Sequence, residues 1–275
     1  MTLSTIRNNP AKQKKVKTKK QKAIAATCAV AFWLLVWHVV SLCVGSELVL
    51  VSPVKVVQTL FTVIFDPDFL KTVWYSAARI LGGFFTALTL GTVLGWVASR
   101  FWVVETLLRP ITAVIKATPV ASFIILVLLW FSGKNLSVII SMLMVFPVIY
   151  MNVLEGIRSA DEKLLEMAQV FRLSVGKKLL YIYLPAVAPF FVSACSVSLG
   201  LCWKSGIAAE VIGTPDGSIG AVFYQAKIFL QTSELLAWTV VVVAVSVAFE
   251  KLFMFLLRLV LKKLKMEDVL NGKHA

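Results

Sequence analysis

The residues of this sequence best placed to do chemistry are ionisable side chains within long apolar stretches. Lys204 follows Trp203 in such a stretch, and Glu210 comes six positions later. A lysine inside a membrane span costs about 2.5–3.5 kcal/mol on insertion scales, so it usually faces a cavity or a partner. The alternative is a side chain that extends to the membrane surface. Lys204 could therefore contact an anion along a pathway or reach the outer interface, and Glu210 could hold an outer loop or gate.

The sequence lacks the patterns of an ATP-hydrolysing or metal-dependent enzyme. Gly176-Lys177-Lys178 has neither the hydroxyl residue after lysine nor the upstream glycine of a phosphate-binding loop. The four cysteines form no C-x-x-C pair, and there are two histidines. We predict that the chain is not an enzyme and that it holds no cofactor or metal.

The composition indicates the elements that must position these residues. Hydrophobic residues make up 59% of the chain and the mean hydropathy is +0.86, whereas soluble domains are about 45–50% apolar. A chain of 275 residues has room for about six spans of ~20 residues. We therefore expect an all-α polytopic membrane protein, because backbone groups in lipid must be satisfied within each span.

Six apolar segments are predicted to be transmembrane helices, with Pro119 breaking the third and shaping the pathway. Residues Gly91 and Gly95 in the second form a G-x-x-x-G motif, for which packing within the subunit is at least as plausible as dimerisation. The predicted spans are residues 23–44, 72–99, 111–131, 136–153, 186–209 and 235–260.

The distribution of positive charge predicts the orientation. Of the 28 Lys and Arg residues, 21 fall in segments on one side of the membrane and four on the other. Cytoplasmic loops collect Lys and Arg, so both termini are expected inside. This gives a basic cytoplasmic tail over residues 1–22, one membrane domain over 23–265 and a second tail over 266–275. The net charge of +14 then favours contact with lipid rather than nucleic acid.

The connection between the fourth and fifth spans, residues 155–185, is long for a helix connection. Ser159 and Glu162 have the spacing of a capping box, which predicts a helix start. Ser174 could cap a second helix that stops before Pro185. The first helix would carry an apolar stripe of Leu164, Leu165, Ala168 and Phe171. Because no lipid lies beside such a stripe in the cytosol, it predicts a docking surface for a soluble partner.

Residues 155–185 resemble the cytoplasmic coupling loop of ATP-binding-cassette (ABC) importer permeases. Glu166-Met167-Ala168 stands for the family's E-A-A, and Leu184-Pro185 for its closing L-P. Arg172 stands where the family usually has glycine, and Gly176 comes four residues later, so the turn is expected to differ. Residues 110–133, 146–168 and 200–220 are similar to the nitrate/sulfonate/taurine branch in the same order, and the resemblance covers residues 72–260.

The resemblance implies the six-helix fold of type I (MetI-like) importers and a bacterial inner-membrane permease subunit. It implies two separate ATPase subunits that bind the ATP, a second permease copy and an extracytoplasmic solute-binding protein. The solute would be small and anionic or zwitterionic. An ion-coupled secondary transporter is the alternative, although the sequence shows no internal repeat and no acidic residue clearly in mid-span.

Overall fold

A computed structural model describes residues 19–264, with side chains from Ile24 onward. The described residues form helices and turns, without a strand among them. The chain divides into two units, one up to Lys55 and the other from Val56. The predicted tails, residues 1–22 and 266–275, lie outside the described residues, except that the first helix already begins at Lys19.

The first unit contains helix α1, Lys19–Val44, followed by a turn in which Gly45 adopts a positive φ of 64°. Ser41 Oγ donates a hydrogen bond to the Leu50 carbonyl at 3.3 Å, which closes this turn. Helix α2, Pro53–Ile64, begins here and continues into the second unit. A proline at the first position suits a helix start, because its missing N–H would have no partner there.

The second unit consists of long helices joined by shorter ones. The helices are α3 (Phe69–Arg100), α4 (Trp102–Ala117), α5 (Val120–Leu128), α6 (Gly133–Arg158), α7 (Glu162–Val170), α8 (Val175–Lys178), a π-helical turn (Leu179–Tyr183), α9 (Leu184–Gly213), α10 (Ile219–Ile228) and α11 (Thr232–Lys263). Among the described residues, five helical stretches are long and apolar enough to cross a membrane, and the pair α4–α5 supplies a sixth if it counts as one span.

The third predicted span, residues 111–131, is wrong as a single helix, although the predicted break is present. Helix α4 begins nine residues earlier than expected, at Trp102, and α5 leaves it at an angle of 106°. Thr118 and Pro119 between them are extended, with ψ values of 132° and 137°. Proline lacks the N–H that would continue the ladder and disfavours a helical residue before it, so the chain turns here.

The core of the second unit lies where α3, α6 and α9 meet. Gly91 and Gly95 of α3 face Ile149, Tyr150 and Val153 of α6, and a Cβ on either glycine would stand only about 3 Å from those residues. The close packing predicted for this motif therefore occurs within the subunit. The fully buried side chains around it include Ile80, Phe84, Leu199, Cys195 and Cys202. Cys195 and Cys202 serve as packing residues in this apolar core.

A second cluster closes the far end of this unit, where α6 begins and α9 ends. Val63 of α2, Ile219 of α10 and Trp238 of α11 are buried together. Short helices α2 and α10 thus pack on the long helix α11. We call this the closed end, and we call the end that carries residues 159–174 the segment end.

Candidate functional site

The connection at the segment end is shorter than predicted, because the helices on both sides extend into it. Helix α6 continues to Arg158, and the Ser159 hydroxyl donates to the Gly156 carbonyl at 2.9 Å. The capping box predicted at Ser159 is therefore wrong. Asp161 caps α7 instead, its carboxylate accepting from the Lys163 N–H at 2.8 Å. Aspartate is among the preferred N-cap residues, and it lies one position before the helix.

Helix α7 carries the Glu166-Met167-Ala168 motif and packs against its neighbours through Ala168. Ala168 is fully buried with Ala160 and Ile182, and Leu165 packs against this cluster. Glu166 and Met167 are exposed. The predicted apolar stripe is thus half right: Leu165 and Ala168 face inward, whereas Leu164 and Phe171 face outward.

Arg172 lies in the left-handed region, with φ of 50°, at the end of α7. The Arg172 N–H donates to the Gln169 carbonyl at 3.0 Å, and the Leu173 N–H donates to the Ala168 carbonyl at 2.9 Å. This pair of bonds is the Schellman ending, in which the left-handed position is usually glycine. The turn therefore forms at the position where the resembled family has glycine. Gly176, in α8, does not take over this role.

The second helix of the segment was predicted to stop before Pro185, and this is wrong. Ser174 occupies the N-cap position of α8, as expected, although its side chain makes no capping hydrogen bond. Helix α8 then passes through the π turn into α9, so that Val175–Gly213 forms one element of 39 residues. Leu184-Pro185 lies in the first turn of α9. The wider π turn before it accommodates the proline, whose missing N–H is tolerated at a helix start.

Large apolar side chains remain uncovered around the end of α7 and the start of α8. Val170 and Val175 are each 79% exposed, and Phe171 is 71% exposed. Leu164 and Met167 extend the surface along α7. These five residues form what we call the exposed patch. An apolar surface of this kind at the end of a helical bundle is typical of a protein-binding site.

Lys204 is exposed on α9, between the buried residues Trp203 and Ser205. It lies nine residues before Gly213, the last residue of α9, which is about 13 Å along the helix axis. Within the described part of the chain, no ion pair involves Lys204. Gly200, one turn earlier, would direct a Cβ into open space. Lys204 is therefore on an uncovered face of α9.

Glu210 lies in the interior of the closed end, with no exposed surface. Its Oε2 accepts hydrogen bonds from the Ser76 hydroxyl at 2.6 Å and from the Gly220 N–H at 3.3 Å. Ser76 in turn accepts from the Ile219 N–H at 2.9 Å. The carboxylate thus accepts directly from one N–H group in the first turn of α10, where the helix dipole favours negative charge, and Ser76 accepts from another. These contacts join α9, α3 and α10, as a residue that holds the 214–231 segment would.

Gly220 approaches Glu210 so closely that a Cβ would collide with the Glu210 Cβ and with main-chain atoms of α9. The Arg79 guanidinium acts on the Glu210 carboxylate through its charge and packs over the Tyr75 ring at 4.3 Å. The Glu210 cluster therefore lies inside the subunit, whereas Lys204 is exposed. Pro119, the third predicted pathway residue, is exposed at the α4–α5 bend.

Sequence reasoning missed an ionic cluster at the segment end. Arg158, the last residue of α6, donates to the Glu105 carboxylate of α4, and Arg109 lies 3.7 Å from the other carboxylate oxygen. The i,i+4 spacing of Glu105 and Arg109 was visible in the sequence. The partner 53 positions away was not.

Residues 87–266 match the family model described as a binding-protein-dependent transport system inner membrane component. The chain belongs to this family. It is therefore a multi-pass inner-membrane permease of the ABC importer class, with the MetI-like fold of that family. This membership supports the ABC class over the ion-coupled secondary transporter.

Curated relatives agree with this assignment. The permease is 29% identical over 216 residues to the putative aliphatic sulfonates transport permease protein SsuC of Bacillus subtilis, covering 78% of each chain. It is 27% identical over 220 residues to the taurine transport system permease protein TauC of Escherichia coli, covering 78% of this chain and 80% of the relative. The nitrate import permease protein NrtB of Synechocystis sp. is 25% identical over 214 residues, covering 74% and 76%.

Proposed function

We propose that the permease forms half of the pathway of an ATP-driven importer, with a separate ATPase subunit docked on the exposed patch. The observation that carries this proposal is the patch itself: Val170, Phe171 and Val175 are each more than two-thirds exposed at the end of the bundle. Their exposure to water would be unfavourable unless another protein covers them.

The seating of α7 supports a mechanical role for the patch. Ala168 and Leu173 pack against the π turn that leads into α9, and the neighbouring residue Tyr183 contacts Trp96 of α3 with ring centroids 5.4 Å apart. A force on the patch would thus reach α3 and α9 through packed side chains. Movement of two docked ATPases on ATP binding would then shift the bundle between states open to opposite sides. The ATP is bound by those partners, with no cofactor in this chain.

The proposed orientation puts the segment end and both termini in the cytoplasm, with residues 23–265 acting as the membrane domain. The excess of Lys and Arg in residues 1–22, 100–110, 154–185 and the stretch from 250 onward supports it. An extracytoplasmic binding protein would deliver the solute at the closed end.

The proposed solute is small and carries an anionic group, as an alkanesulfonate, taurine or nitrate does. Lys204 supports this choice, because its depth of about 13 Å from the end of α9 is close to half the ~30 Å hydrocarbon thickness. A lysine at that depth requires a watery cavity or an anionic partner. A second copy of the permease, packed against this face, would enclose such a cavity between the two Lys204 residues.

Docking is tested by replacing Phe171 with aspartate and measuring co-purification of the ATPase subunits encoded in the same cell. We expect Phe171→Asp to reduce the recovered ATPase about tenfold, because a charge would be placed in a desolvated interface. The control is Phe229→Asp, since Phe229 is 70% exposed at the closed end and should be dispensable for docking. Equal ATPase recovery with both variants would reject the proposed docking site.

The solute class is tested with Lys204→Gln in the complete transporter reconstituted in proteoliposomes. Taurine, butanesulfonate and nitrate serve as probe solutes in the presence of the binding protein. We expect uptake of the transported probe to fall about tenfold or more, because the cationic partner for the anion is lost. Uptake should be restored in part by Lys204→Arg. Unchanged uptake by Lys204→Gln would exclude Lys204 from the pathway.

A further inference from the structure

The ionic cluster of Glu105, Arg109 and Arg158 joins two parts of the permease that are distant in sequence. Glu105 lies in the first turn of α4, and its side chain is only 14% exposed. Arg158 donates to Oε2 of Glu105, and the Arg109 Nη2 lies 3.7 Å from Oε1. One carboxylate therefore has two positive partners, one on α6 and one a single turn further along its own helix.

Arg158 links the ionic cluster to the segment that follows α6. Arg158 is the last residue of α6, directly before the 159–174 segment that carries the exposed patch. Glu105 begins the bent pair α4–α5, whose second helix packs on α6 and α9 through Ile124 and Val127. The Glu105–Arg158 pair thus connects the docking segment to the start of the helix pair that bends at Pro119.

Apolar packing holds α4 only in part. Val104 and Leu108 pack against Tyr150 and Leu154 of α6. Ile115, near the far end of α4, is buried as well. Four further aliphatic side chains of α4 are at least half exposed: Val103, Leu107, Ile111 and Val114. Because this end of α4 has a narrow apolar contact with α6, the Glu105–Arg158 ion pair helps to fix the orientation of α4 relative to the end of α6.

The surroundings leave room for the pair to change. A cavity of about 160 Å³ adjoins the cluster, lined by Thr112, Tyr150 and Met151 among other residues. The Tyr150 hydroxyl is buried there and has no hydrogen-bond partner among the described residues. The Arg158 side chain is itself 48% exposed, so it has a route away from Glu105 toward solvent. Arg109 would keep the largely buried Glu105 carboxylate compensated, which matters because an unpaired buried charge is costly.

We propose that Glu105 is a positioning residue for coupling, which holds both arginines in this state and keeps only Arg109 when the docking segment carries Arg158 away. While paired with Arg158, Glu105 makes α4 follow α6. When Glu105 is paired with Arg109 alone, α4 is no longer tied to the end of α6. The inference rests on the proposed function, since it gives the 159–174 segment a movement driven by an ATPase.

The test measures two rates in the complete transporter: ATP hydrolysis stimulated by the binding protein, and uptake of taurine, butanesulfonate or nitrate, whichever the wild type transports. We expect Glu105→Gln to lower solute uptake per ATP hydrolysed by about 5- to 20-fold, a typical size for coupling between sites. ATP hydrolysis itself should persist. A merely structural role would lower both rates together with the amount of folded complex.

A double-mutant cycle shows whether Glu105 acts through Arg158. Arg158→Gln should reproduce the uncoupling. The double variant Glu105→Gln/Arg158→Gln should be no worse than either single variant, because all three variants lack the same Glu105–Arg158 contact. Arg158→Lys should retain most of the coupling. Arg109→Gln keeps the pair between helices, so it should slow uptake and hydrolysis in proportion and leave their ratio unchanged.

The outcomes separate this inference from the proposed function. If wild-type permease binds no ATPase, the proposed function fails and the inference falls with it. If wild type couples hydrolysis to uptake while Glu105→Gln keeps the same ratio, the proposed function stands and the positioning role is wrong. Additive losses in the double variant would equally exclude the Glu105–Arg158 contact as the coupling element.

Discussion

The two ends of the permease differ in the contacts that define them. At the closed end, the fully buried Glu210 carboxylate accepts hydrogen bonds from the Ser76 hydroxyl and from the Gly220 N–H of α10, both in the same chain. At the segment end, Phe171 and Val175 lie uncovered beside a turn that places an arginine in the left-handed region. The contacts around Glu210 are therefore made within one chain, whereas the exposed patch is the surface for which we propose a partner.

This difference also separates two kinds of polar contact. The Glu210 contacts tie helices together inside the subunit, where a missing partner would leave a desolvated charge. The Glu105 contacts lie at a half-exposed surface, where Arg158 is 48% exposed and a second arginine stands close by. The first arrangement suits a fixed joint and the second suits an exchange of partners. Substitutions at each end should therefore differ in what they change.

The largest expected effect on stability comes from adding one methyl group at Gly220 in the closed end. Gly220→Ala would drive a Cβ into main-chain atoms of α9 beside Glu210, which cannot move aside. We expect the free energy of unfolding to fall by about 3 kcal/mol, the upper range for overpacking. The measurement is the midpoint of unfolding of the purified permease in detergent.

The matched control for that substitution is Gly200→Ala in α9, where a Cβ meets open space. Alanine is favoured over glycine within a helix by about 1 kcal/mol, so this variant should be unchanged or slightly more stable. If Gly220→Ala proved as stable as Gly200→Ala, the close contact with Glu210 that defines the closed end would be wrong.

A smaller effect, of opposite sign, is expected at the segment end. Arg172→Gly should stabilise the end of α7 by about 1 kcal/mol, because glycine adopts a positive φ without steric cost. Hydrogen exchange of the Leu173 amide, which is bonded to the Ala168 carbonyl, should slow about fivefold. Gly176→Ala serves as the control, since Gly176 lies in a helix without a positive φ. Faster exchange in Arg172→Gly would contradict the turn described here.

Hydrophobicity in the sequence predicted most of the fold, because each span must satisfy its backbone within itself. Five of six predicted spans correspond to single long helices, and the remaining one, the third in the chain, was expected to break at Pro119. The 106° angle could not be predicted, since it depends on how α5 packs on α6 and α9. The π turn before Pro185 was missed for a similar reason, because proline normally signals a helix end and local sequence does not show the extra residue in the turn.

The candidate site was predictable only where its parts are adjacent in sequence. The first short helix of the segment, the start of the second at Ser174 and the unusual Arg172 position were visible in the sequence. The partners of Glu210 and Glu105 were not: Ser76 lies 134 positions from Glu210, and Arg158 lies 53 positions from Glu105. Spacing rules describe neighbours on one helix, whereas these contacts arise from the packing of different helices.

The central claim is that a separate ATPase covers the exposed patch, and site-specific photo-crosslinking tests it most directly. A photoreactive phenylalanine analogue would replace Phe171 in one permease and Phe229 in another, two residues of nearly equal exposure at opposite ends. After irradiation of the native complex in membranes, we predict a covalent product with the ATPase from position 171 and none from position 229. A product with the ATPase from position 229, or none from position 171, would contradict the account.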